Sequence, residues 1–95
     1  MVRFRPDAER DVLEAATWYS GQRRGLGHEF LDALWSTVTA VAESPLAFPT
    51  VHRGTRRALM RRFPFGLYYR VEDSTIVVIA VMHASRDPHR WRSLA

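Results

Sequence analysis

The sequence predicts an α+β domain: a small, mainly antiparallel sheet with an N-terminal αα-hairpin packed on one face, in the order β-α-α-β-β-β. Three observations predict it. Residues 6–43 carry apolar side chains at helical spacing, interrupted once by glycines. Residues 58–82 switch to alternation and then to a continuous apolar, β-branched run. A short apolar–basic alternation, Val2-Arg3-Phe4-Arg5, precedes both. With 95 residues and a hydrophobic content of 46%, residues 1–95 are read as one domain able to bury a core.

Each element has its own warrant. Val2 to Arg5 reads as a brief strand, and Pro6 suits the first turn of a helix. Asp7, Glu9, Asp11 and Glu14 load the start of that helix with negative charge, and Arg23 and Arg24 lie at its end, both favourable to the helix dipole. Ala8, Val12, Ala15, Ala16 and Tyr19 form its apolar stripe, and Gly25-Leu26-Gly27 reads as the turn. A second helix is predicted over residues 28–43, with Phe30, Leu31, Leu34, Val38 and Val41 as its apolar stripe and Ser44-Pro45 stopping it. The prolines and glycine of residues 45–54 read as a loop.

Three strands then follow. Residues 58–63 and 67–71 alternate, with Pro64 and Gly66 marking a bend between them, and Glu72-Asp73-Ser74 suits a tight hairpin turn. Ile76 to Met82 is apolar on both parities, as expected of a strand covered on both faces and interior to the sheet. The end, from Arg86, reads as a turn or a single helical turn.

Composition narrows the function classes. The chain has no cysteine, which excludes a disulfide framework, a thiolate metal site and a cysteine nucleophile. The histidines at 28, 52, 83 and 89 lack metal-ligand spacing, so neither metal nor cofactor is expected. No nucleotide-binding glycine loop or nucleophile elbow is present. No apolar run approaches the roughly 20 residues that span a bilayer, so a cytoplasmic protein without a membrane partner is expected. Charge is uneven. Residues 1–50 carry five Arg against seven acids, and residues 51–95 carry nine Arg against three. That basic half points to an acidic partner, nucleic acid or protein.

Single residues keep two readings. His83 ends an apolar strand, where it either caps the core or offers a proton-transfer or contact group. Asp87 either pairs with an Arg to fix the turn before Pro88 or belongs to a site; Trp91 is a lid on the core or an anchor for a partner. The pairs Arg56-Arg57 and Arg61-Arg62 are expected to place one Arg on each sheet face. They serve either as a binding surface or as a solvated strand paired with the acidic first helix. Trp18-Tyr19 is core and rim, or the wall of a groove for a partner helix.

Several ordered motifs carry a family resemblance. They are Phe4-Arg-Pro-x-Ala8, Trp18-Tyr19, Gly25-Leu-Gly-x-x-Phe30-Leu31 and Pro45-x-x-Phe48-Pro49, then Arg57-Ala-Leu-x-Arg-Arg-Phe63-Pro-Phe-x-x-Tyr68-Tyr69 and Val81-x-His83-x-x-Arg86-Asp87-Pro88-x-x-Trp91. Together they resemble bacterial RelE/ParE-superfamily toxins, and most closely the ParE-like, plasmid-stabilisation branch. The resemblance implies the toxin of a type II toxin–antitoxin pair, bound in a hetero-oligomer by a ParD/RelB-like antitoxin. ParE-type toxins act on DNA gyrase; RelE-type relatives cut mRNA on the ribosome. Fold alone does not choose between them.

Under the ParE reading the chain is a gyrase-binding inhibitor rather than an enzyme. Arg61, Arg62, Arg70, His83, Arg86, Arg90 and Trp91 would meet the target, and Trp18, Tyr19, Leu34, Arg56 and Arg57 the antitoxin. The alternative is a ribosome-dependent endoribonuclease drawing on Arg62, His83 and Arg86, with Arg61 beside them. Against it, Gly66 and Leu67 stand where such relatives often place a catalytic Arg, and Ala84-Ser85 follow His83 where a Tyr is expected. A third reading is a non-toxic relative acting only with its antitoxin.

Overall fold

The computed structural model describes residues 1–85. A short strand β1 (Val2–Phe4) leads into helices α1 (Pro6–Gln22) and α2 (Leu26–Glu43), followed by β2 (Thr50–His52), β3 (Thr55–Leu59), β4 (Phe65–Glu72) and β5 (Thr75–His83). The sheet order is β1-β5-β4-β3-β2; β1 runs parallel to β5 and every other pair is antiparallel. The α+β class, the helical hairpin and the mainly antiparallel sheet are as the sequence predicts.

The differences are local. Residues 50–52, read as loop, form the edge strand β2. Arg53 (φ 40) and Gly54 (φ 81) both adopt positive φ and close a two-residue hairpin to β3, the conformation that matches strand twist. The predicted strand over 58–63 instead spans Thr55–Leu59. Beyond it Met60 and Phe63 are buried while Arg61 and Arg62 between them are exposed, and Arg62 sits at φ 69. The β3–β4 connection is drawn tight by Met60 N–H donating to the Phe65 carbonyl at 2.9 Å and Phe65 N–H donating to that of Phe63 at 2.8 Å. The interhelix turn falls two residues earlier than predicted, at Arg23 to Gly25, because α2 begins at Leu26 and takes in Gly27. A Cβ there would lie 2.0 Å from Ser20 Oγ and 2.7 Å from the Ala16 carbonyl oxygen, so the two helices touch backbone to backbone.

β5 is interior, as its continuous apolar run requires. Tyr68 faces Ala80 and Tyr69 faces Val78, so Ile79 is the extra residue of a bulge. The bulge changes which parity points where. Ile76, Val78 and Val81 join Leu67, Tyr69, Phe30, Leu34, Val38 and Val41 in the core under the helices. Val77, Ile79, Ala80 and Met82 join Tyr68 in a second buried cluster on the opposite face, with Val51 of β2 packed against it. Each fully buried Val or Ile contributes about 1.5–3 kcal/mol, so β5 anchors both clusters.

β1 ends before β5 does. Its last ladder contact is Arg5 N–H to the Val78 carbonyl, 2.9 Å. Past that point α1 crosses the exposed edge of β5, and Asp11, buried within the stripe Ala8-Asp11-Ala15, accepts Val81 N–H at 2.9 Å. A side-chain carboxylate thus takes over from the missing strand. Among the described residues no helix is long and apolar enough to cross a membrane.

Candidate functional site

Two grooves flank the β3–β4 connection. The larger, about 720 Å³, opens between α1 and the adjoining ends of β4 and β5; Asp11, Glu14, Trp18, Tyr19, Phe65 and His83 are among its lining. The second, about 560 Å³, lies between α2 and the connection, with Glu29, Asp32, Phe48, Leu59, Arg61 and Arg62 around it. An aromatic cluster separates them. Tyr19 stacks on Phe30 at 5.3 Å, Phe63 meets Tyr19 edge-on at 4.8 Å, and Phe65 meets Phe30 edge-on at 5.3 Å. This packing sets where the residues at the end of β4 and β5 point.

His83 stands opposite Phe65 in the β4–β5 ladder and packs edge-on to its ring at 5.6 Å. Its Nδ1 lies 2.7 Å from Ser85 Oγ and 3.2 Å from Ser85 N. The imidazole therefore sits half-buried at the end of the first groove, oriented by a serine two residues on. Trp18 is 60% exposed on the wall of that groove, while Tyr19 turns inward, and burial raises its phenol pKa.

Arg62 belongs to the other groove. Its guanidinium donates to Glu29 Oε1 at 2.7 Å and lies 5.5 Å from the centre of the Phe63 ring. Arg23, at the end of α1, reaches the same carboxylate at 3.1 Å. The two guanidinium hydrogen bonds, Arg62's first, hold Glu29 below the ordinary carboxylate range. The carboxylate that Arg62 meets is thus on the second helix, where the sequence reading looked to the first. Arg61 is exposed beside it.

The target-binding set is therefore not one patch. Arg61, Arg62 and His83 lie at one end of the sheet, and Arg70 lies five residues along β4, about 17 Å away, where its Nε is 3.8 Å from Glu72. Arg62 and His83, paired in the ribonuclease alternative, line different grooves. Arg86, Arg90 and Trp91, along with Asp87, fall outside the described residues.

The antitoxin set also divides. Trp18 and Tyr19 share the first groove. Leu34 is 6% exposed, so its side chain belongs to the core and not to a contact surface; at helical spacing, core and groove positions look alike in sequence. Arg56 and Arg57 do take opposite faces, as adjacent strand residues must. Arg56 faces Tyr69 on the helix side and donates to the Leu46 and Phe48 carbonyls at 3.2 and 2.6 Å, holding the 45–49 loop. Arg57 faces Tyr68, with its stem so close to Gly66 that a Cβ there would lie 3.2 Å from it. Its Nε is buried with no hydrogen-bond partner among the described residues.

Sequence reasoning missed two residues, Asp11 and Glu29. Asp11 had a signal, an acid on an apolar helical stripe, three residues after Ala8 and four before Ala15. Glu29 had none, because its partners come from the interhelix turn and from residue 62. Among the described residues no group of three or more potential ligand side chains is placed to hold a metal ion.

This geometry has known counterparts. Residues 2–88 match the family described as the ParE toxin of the type II toxin–antitoxin system, parDE. The Mycobacterium tuberculosis protein Toxin ParE2 is 27% identical over 92 residues, covering 93% of this chain and 85% of that one. Among solved structures, the chromosomal ParDE toxin–antitoxin system from P. aeruginosa shares the fold at a TM-score of 0.64 and 18% identity, over 86% of this chain and 92% of that one. The toxin–antitoxin complex RelBE2 from Mycobacterium tuberculosis matches at a TM-score of 0.59 and 25% identity, over 87% and 95%. The family match spans β1 through β5 and includes both grooves, and the chain accordingly belongs to the ParE toxin family of type II toxin–antitoxin systems.

Proposed function

We propose that this chain is a toxin that inhibits DNA gyrase by direct protein contact and is neutralised by a cognate antitoxin. The observation that carries the choice against RNA cleavage is the disposition of Arg62 and His83. A general acid–base pair must converge on one phosphate, whereas Arg62 is held on Glu29 in one groove and His83 on Ser85 in the other. Exposed arginines around a folded domain fit recognition of an acidic protein surface without needing that convergence. The match to toxins solved together with their antitoxins supports the partner. The antitoxin is expected to bring acidic residues to this basic half, so that neutralisation and target binding compete for its exposed arginines.

The test is a cleavage assay with gyrase from the source organism, supercoiled plasmid, ATP and the purified chain. Linear DNA trapped on protein, suppressed by added antitoxin, is the expected result. Undisturbed supercoiling with a demonstrably folded chain would remove the gyrase reading. mRNA cut on purified ribosomes would then mark the ribonuclease alternative, and no cut the non-toxic one.

A further inference from the structure

The groove between α1 and the end of β5 departs from the basic charge of residues 51–95, although half its lining comes from them. The chain has 14 basic residues against 10 acids, yet no Arg is among the described residues lining this groove, and its carboxylates are Asp11 and Glu14. The two acids are not equivalent. Asp11 is buried and holds Val81 N–H, so it forms part of the wall. Glu14 is exposed on the same helix, four residues before Trp18 and so beside it on one face.

That pairing has a definite chemistry. An exposed indole is the best aromatic platform for an organic cation, and a neighbouring carboxylate supplies the counter-charge. Tyr19 and Phe65 provide an apolar floor for the methylenes of a long side chain. A free inorganic cation would leave this floor uncovered, whereas arginine and lysine carry charge and hydrocarbon together. At about 720 Å³ the groove also has room for apolar neighbours on either side.

We infer that this groove seats an arginine or lysine of the antitoxin, flanked by apolar side chains, with Glu14 as counter-charge and Trp18 as platform. The inference rests on the toxin–antitoxin reading and adds a sign to it. Elsewhere the basic surface selects acidic residues of the partner; here the polarity is reversed. A partner segment that is acidic throughout is repelled at Glu14, so the reversed pair fixes the register in which the antitoxin lies.

The test uses the full chain and the antitoxin encoded beside it. Glu14→Arg is expected to weaken the complex about tenfold or more, and Trp18→Ala to a similar degree. Both side chains are exposed, so the melting temperatures of the free variants should stay near that of the parent chain. Changing one antitoxin Arg or Lys to Glu should restore binding to the Glu14→Arg chain. Parental affinity in Glu14→Arg, or rescue by no antitoxin cation, would overturn the inference. So would a photo-cross-linker placed at Thr17 that captures only residues 86–95 of the chain itself. If the parent chain binds no antitoxin, the toxin–antitoxin reading fails and the cation site with it. If the parent binds and Glu14→Arg binds equally, only the cation site fails.

Discussion

Asp11 and Val81 are 70 residues apart in sequence, yet the buried Asp11 carboxylate accepts the Val81 backbone N–H at 2.9 Å. The contact fastens α1 to β5 where β1 no longer covers the strand edge. It also sets the depth of the groove that α1 and β5 enclose, because Asp11, Trp18 and His83 all reach it from those two elements.

Removing that acceptor should therefore cost more than an average substitution. Asp11→Ala leaves Val81 N–H buried without a partner, and the expected loss is about 2 kcal/mol. Asp11→Asn keeps an oxygen acceptor and should lose about half as much or less. Urea unfolding of both variants checks this; equal stability of parent and Asp11→Ala would show that another group takes over the N–H.

Gly27 predicts a second sensitivity, in the helical hairpin. A methyl group there meets Ser20 Oγ, which can rotate, and the Ala16 carbonyl oxygen, which cannot. Gly27→Ala should thus separate α1 from α2 at the cost of about 2 kcal/mol, despite the higher helix propensity of alanine. Adding Ser20→Ala should recover only part of the loss, because the backbone contact remains.

Tyr69 is fully buried and donates its hydroxyl to the Pro45 carbonyl at 2.6 Å, joining β4 to the loop after α2. Tyr69→Phe should lower stability by about 1 kcal/mol. Burial raises the phenol pKa of Tyr69, opposed by the positive charge of Arg56, and burial also raises that of Tyr19. The folded chain thus holds these protons more tightly than the unfolded one. The resulting stabilisation is complete below the ordinary value of 10.0 and is lost as pH rises through the raised values. Spectroscopic titration should find these two tyrosines ionising above pH 10, later than in the unfolded chain.

Glu29 carries the opposite sign. Its pKa is lowered by hydrogen bonds from Arg62 and then Arg23, so its contribution is present above the ordinary glutamate value and lost as pH falls through the lowered one. Glu29→Gln should therefore differ from the parent chain at neutral pH and converge with it in acid. Because both arginines are well exposed and Glu29 is partly so, added salt should shrink the difference at neutral pH. A difference that is independent of pH and salt would assign the effect to packing instead.

Periodicity determined much of this protein. The spacing of Phe30, Leu34, Val38 and Val41 specified a helix with one buried face, and the unbroken run Ile76–Met82 specified a strand covered on both sides. Those signals are local, since each depends only on the repeat of an element and the side of it that avoids water. The ordered motifs from Phe4 to Trp91 were enough to indicate the family.

Tertiary structure decided what no local pattern encodes. Residues 50–52 are a strand only because β3 lies alongside, where prolines at 45 and 49 had argued for a loop. The bulge at Ile79 reassigns Val81 to the helix-side core and brings its N–H within reach of Asp11. Leu34 and Trp18 are both apolar helical residues of the hairpin, yet one is sealed in the core and the other stands on a groove wall. Arg62 and His83, adjacent in a plausible catalytic set, are drawn apart by Glu29 and Ser85. In each case the deciding partner comes from another element or from the chain's local path, and sequence spacing carries no information about where a partner's atoms will be.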